Sequence, residues 1–267
     1  MKTSFQSPTA LPTVFANSEA STVKAMPGVR RAGAAMSPGL DEATWRLAQA
    51  IRAGGGQVLL VWGEAEQQSV AELTRLRLTH LQQSGERSAR QHLARLQSLL
   101  AEQLAALSAS GWRGERRAAA CWRKIAPEID ELSQLLAAAI EPLNLARQAR
   151  QAQAVRAQQA VAALARLLAQ AENLRPQLAA DAQVWLLDRQ QSLLASQTLA
   201  LELALLTDSE AEQVTRLIAT IRQGVLLRLP AVLLQLGELP SGAHATRRYQ
   251  LSEMLDQLIH FFRNPTP

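Results

Sequence analysis

The stretch "LNLARQARQAQAVRAQQAVAALARLLAQAENLR", Leu143 to Arg175, contains neither glycine nor proline and is dominated by alanine, leucine, glutamine and arginine. These side chains lose little rotamer freedom in a helix and do not compete for backbone hydrogen bonds. One helix is predicted over the whole stretch, on the order of 50 Å long at about 1.5 Å per residue. Its first half offers only a thin apolar seam, and Val161, Leu164, Leu167, Leu168 and Leu174 thicken that seam toward the end. After Pro176 a second helical run follows, "QLAADAQVWLLDRQQSLLASQTLALELALL". The pair reads as a long antiparallel helical hairpin or coiled coil with a solvated outer portion.

The rest of the chain agrees with this reading. At 267 residues and 48% hydrophobic it can bury a core. An all-α, elongated helical bundle is the expected fold. From Met1 to Gly39, Ser, Thr, Pro, Ala and Gly dominate without apolar periodicity, so 1–39 reads as a flexible tail and 40–267 as the helical domain, with long helices around 143–175 and 177–206. A first helix starts near "SPGLDEATWRLAQAIRA" and ends at Gly54, Gly55 and Gly56, which serve as a hinge, because no strand precedes them and no Lys-Ser/Thr pair follows. "QVLLVW" after it has the composition of a short strand, although helical periodicity resumes at once. Leu93, Leu96, Leu100, Leu104 and Leu107 form an amphipathic stripe. Pro127 is expected to open a new helix, and Thr207, Asp208 or Ser209 to cap another.

Candidate chemistry is sparse. Cys121 is the only cysteine, which excludes an intramolecular disulfide, fits a cytoplasmic location, and offers no dithiol for reducing an oxyanion. Its basic neighbourhood, "RAAACWRK", has no histidine nearby in sequence, and a structural thiol is expected. His80 and His92 are twelve residues apart, which is not a one-face ligand pair, and His244 and His260 stand apart from them. Glu128, Asp130 and Glu131 read as first-turn acids. The five tryptophans are dispersed and read as packing residues. The net charge of +5 is spread along the chain, so a nucleic-acid partner is not indicated. "SLLASQTLALELALL" is interrupted by Gln197 and Glu202 and is too short to span a bilayer. No catalytic set, metal site, cofactor or small-molecule site is read from the sequence.

In "GVLLRLPAVLLQL", Gly224 to Leu236, Pro230 interrupts an apolar run. A proline inside a helix removes a hydrogen bond and costs about 3 kcal/mol or more, so a kink or helix junction is expected there, loosened further by Gly224.

The segment "ALELALLTDSEAEQVTRLIATIRQGVLLRLPAVLLQ", Ala200 to Gln235, resembles the C-terminal core segment of the toxic-anion-resistance (TelA-like, tellurite resistance) proteins. Ala200, Leu201, Leu217, Ile221, Pro230 and Gln235 stand at corresponding spacings, and "EIDELSQLLAAAIEPLNLARQ" is similar to the helix before that family's long hairpin. The chain departs from the family at "ELALLTD" and at Val232. The resemblance implies a stress-resistance role exercised through protein association, not a reaction, with protein partners of unknown identity and a homo-oligomer left open. The other expectation is a coiled-coil adaptor or scaffold of a secretion, plasmid or phage-related assembly.

Overall fold

Leucine and alanine at three- and four-residue steps decide where the helices meet. In the computed structural model, residues 42–82, 85–108, 111–238 and 245–264 are described, and every regular element among them is helical. The protein is an all-α helical bundle. The tail expected at 1–39 lies outside the described residues, as does His244.

Helix α1 (Glu42–Gly54) and the one-turn α2 (Gln57–Val61) lead into α3 (Glu64–Gln82) and α4 (Gly85–Ser108). Next comes α5 (Gly111–Leu174), followed by a 3-10 turn over Arg175–Gln177 and by α6 (Ala180–Thr220). A π-helical segment, Ile221–Arg228, connects α6 directly to α7 (Leu229–Gly237), and α8 (Ala245–Arg263) closes the described chain.

The α5–α6 hairpin is the backbone of this arrangement. Near the turn, Ala171 and Leu174 cluster with Leu178 and Leu186. Farther along, Ala160 and Leu164 meet Leu193 and Ala200, Ala157 meets Leu203 and Ala204, and Leu143 shares a core with Val214. Numbers fall along α5 as they rise along α6, which makes the pair antiparallel. The other helices attach in sequence order. Ala48, Ile51 and Leu59 of α1 and α2 close the turn end. Val70 and Leu73 of α3 lie along the middle. The largest core sits at the far end, where Leu96 and Leu100 of α4, Ile129 and Leu136 of α5, Ile221 and Val225 of the π segment, and Leu255 and Phe262 of α8 come together.

Four expectations are corrected. "QVLLV" is helix α2 and not a strand, because Leu59 must turn inward onto the hairpin while Leu60 and Val61 stay exposed. The long helix does not begin near 143: α5 runs unbroken from Gly111 through Pro127 and Pro142. Both prolines lie on the exposed face, while Ile125, Ile129, Leu136 and Leu143 are buried, so core contacts on the inner face offset the two lost backbone bonds. The acidic trio Glu128, Asp130 and Glu131 is therefore mid-helix and caps nothing. Nor does a cap form at Thr207, Asp208 or Ser209. Thr207 is buried within α6 and donates its hydroxyl to the Leu203 carbonyl at 2.6 Å, so the helix expected over 177–206 continues to Thr220.

The junction at Pro230 is real but is not a break. The backbone stays right-handed helical at Thr220, Ile221, Arg228 and Leu229, and the Leu229 N–H donates to the Gly224 carbonyl, five residues back. This wider turn places Pro230 in the first turn of α7, where a missing N–H costs least. Gly224 has a second role: a Cβ there would collide with the ring of Phe262 on α8.

Gly224→Ala tests this packing. In an open helix the change is worth about 1 kcal/mol of stabilisation. Here it is expected to destabilise by about 1–3 kcal/mol through overpacking, measured by urea unfolding; a gain in stability would show that Phe262 does not seal the π segment.

Candidate interaction surface

Helix α6 is apolar on two faces. The inner face carries Leu186, Leu193, Ala200 and Thr207, all completely buried at seven-residue spacing against α5. One residue further along, a second stripe runs at alternating three- and four-residue steps: Val184, Leu187, Gln191, Leu194, Thr198, Leu201 and Leu205. Its apolar members are 67, 40, 55, 50 and 65% exposed in chain order. On an α-helix, such a stripe lies roughly opposite the α3 and α5 contacts and faces solvent. Gln67 of α3 marks the covered side by donating to the Ser192 and Ser196 hydroxyls at 2.9 and 2.8 Å. Isolated exposed leucines are ordinary, whereas five large apolar side chains along one helix face make a candidate interaction surface.

Between α3, α4, α5 and α6 lies a buried polar crossing. Arg150 of α5 is only 6% exposed, and its Nη2 donates to Glu86 at 2.7 Å. Its Nε lies 3.8 Å from a Glu210 oxygen. Each acid has a second arginine: Arg90 on Glu86 at 2.6 Å and Arg77 on Glu210 at 2.8 Å. Gln153 donates to the Leu73 carbonyl at 2.7 Å, and its own carbonyl stands 3.2 Å from Nδ1 of His80, which fixes the hydrogen on that nitrogen. Two open clefts of about 630 and 610 Å³ flank Arg150. The crossing ties α3, α4, α5 and α6 at one level, and no residue in it is placed as a nucleophile.

The positions matched to the toxic-anion-resistance pattern divide by environment. Ala200, Leu217 and Ile221 are core residues, whereas Leu201 is half exposed and Pro230 and Gln235 are on the surface. They do not converge on a pocket. Cys121 is partly buried, and burial, with Glu102 adding, pushes its thiol up from the ordinary value. Glu128 pairs with Arg95 of α4 through both carboxylate oxygens, at 2.6 and 2.9 Å, and that hydrogen bonding holds its carboxyl below the usual range. Among the described residues no group of three or more His, Cys, Asp or Glu side chains could hold a metal ion. The continuous helix Ala180–Gly237 is long and apolar enough, by length and composition alone, to cross a membrane, with 44% of its most apolar 18-residue window buried. The outer stripe itself was legible in the sequence as apolar positions in register on α6, but only packing separates it from the inner face.

The chain matches no family model, no curated protein and no solved structure.

Two outcomes follow from the crossing and the thiol. Glu86→Ala leaves Arg150 with only the 3.8 Å approach of Glu210 and should cost about 3 kcal/mol in urea unfolding. Arg150→Met leaves each acid its second arginine and should cost no more than about 1 kcal/mol; equal losses would contradict this assignment. Cys121 should alkylate more slowly with iodoacetamide at neutral pH than an unfolded control, and reach its full rate only above the ordinary thiol range. Rapid labelling at neutral pH would show an activated thiolate.

Proposed function

We propose that this chain is a non-enzymatic helical protein that acts by protein association in resistance to tellurite or a related toxic anion. The observation that carries the association is the outer stripe of α6: five large apolar side chains 40–67% exposed on one face of a helix whose opposite face is already buried. The assignment to anion stress is supported by the spacing of Ala200, Leu201, Leu217, Ile221, Pro230 and Gln235. Three of these positions, Ala200, Leu217 and Ile221, are buried and hold the helix that displays the stripe.

The test is survival of the native host on graded tellurite with the gene deleted, restored, and restored as Leu187→Glu with Leu194→Glu. The deletion should lower survival, and the double variant should fail to restore it. Because both positions are exposed, folded stability should change by no more than about 0.5 kcal/mol per site. Unchanged survival on deletion would remove the resistance role. Full restoration by the folded double variant would remove the stripe from it.

A further inference from the structure

We infer that the occupant of the outer α6 stripe is a second copy of this chain, paired in parallel and in register about a two-fold axis along α6. This inference rests on the association reading and names its partner. It is carried by how the stripe reads against itself. Val184, Leu187, Leu194, Leu201 and Leu205 are apolar, and Gln191 and Thr198 are the polar steps between them.

In a parallel in-register pair each layer meets its own counterpart. All five apolar layers then face apolar layers, Gln191 faces the partner copy's glutamine, and Thr198 faces its threonine. Side-chain amides and hydroxyls both donate and accept, so each polar layer satisfies itself. Slipping the pair by one heptad sets Val184 against Gln191 and Thr198 against Leu205. The slip leaves buried polar groups unpaired, which disfavours it. An antiparallel pair that overlaps the whole stripe sets Gln191 against Thr198 and leucine against leucine, so the polar layers do not decide against it and the flanking charges do.

The flanks agree. In a parallel pair, residues just before one layer approach residues five further along in the partner. Gln183 then meets Asp188, and Gln197 meets Glu202, so each acid gains an amide donor and no like charges are brought together. In an antiparallel pair Asp188 and Glu202 face each other. Asp208 stands at the next step beyond Leu205 and bounds the stripe to about three heptads. Burying the stripe on both copies removes on the order of 1,000 Å² in total, which is the size at which specific interfaces begin. A dimer in the micromolar range is expected.

The test uses the full chain in a Cys121→Ser background. Single cysteines replace Leu187, Leu194 or Leu201, with Leu145→Cys, exposed on α5, as the control. Under mild oxidation all three stripe cysteines should form a disulfide with their own kind, at yields at least about tenfold above the control, because each lies opposite itself at high local concentration. Sedimentation should give a dimer, and Leu194→Glu should weaken it by roughly 30-fold or more while its circular dichroism and melting stay unchanged. A mixture of Leu187→Cys and Leu201→Cys that cross-links better than either alone would overturn the parallel register. A monomer at about 0.1 mM would overturn the second copy as occupant. If that monomer still loses tellurite protection on Leu194→Glu, association with another protein stands. If instead the dimer forms and Leu194→Glu protects fully, the pairing stands and the association reading of the resistance role falls.

Discussion

The rest of the fold depends on the long antiparallel contact between α5 and α6. Along it, alanines at 154, 157, 160 and 171 on one helix and 200, 204 and 211 on the other are almost fully buried. Small side chains let two backbones approach closely, and the leucines between them, Leu164, Leu174, Leu186 and Leu193, fill the space that remains. Neither helix would hold its length alone, since helices in water owe most of their stability to a packed face. The other elements build on this pair: α1 and α2 at the turn, α3 along its middle and α4 at the far end, where α8 packs against α4, α7 and the π segment.

The same contact explains the polar crossing. Between Leu143 and Ala154 the α5 seam turns to arginine and glutamine, and Arg150 and Gln153 occupy positions where the helical period demands burial. A lone buried guanidinium would be costly. It is tolerated because α4 delivers Glu86 and α6 delivers Glu210, each also held by a second arginine. The four helices are thereby fixed at one level by hydrogen-bond geometry, which is more selective than leucine packing. An apolar seam at this level would permit the helices to slide by a turn, whereas the pairing of Arg150 with Glu86 does not.

The helical class, the hairpin, and the inward stripes of α4 and late α5 were legible because each rests on local propensity and a single apolar face. What escaped were features that depend on distant residues. Pro127 and Pro142 are helix-breaking signals by local rules, and only the burial of Ile129 and Leu136 against α4 overrides them. Thr207 looks like a cap until Leu203 and Ala211 are seen to be buried on either side of it. Glu128 looks like a first-turn acid until Arg95 comes within hydrogen-bonding distance from a separate helix. The two faces of α6 are both visible as leucine-rich in the sequence. Which one is covered follows from the register with α5, which no window on α6 alone contains.

The stretch around Gly224 and Pro230 shows how far such distant contacts reach. Its apolar content would suit a bilayer, yet Gly224, Val225, Leu229 and Val232 point into the protein core, and Arg228 lies 4.3 Å over the ring of Phe261 on α8. A cation held on an aromatic face and a glycine sealed by Phe262 both require α8 to be in place. The π-helical turn reconciles the two constraints: it shifts the phase of the chain so that Leu229 and Val232 continue the inner face after Ile221 and Val225, and it sets Pro230 where no backbone donor is needed. Without that phase shift, a strictly α-helical chain would bring Arg228, two turns after buried Ile221, toward the core, so the wide turn is what leaves its guanidinium on the Phe261 ring.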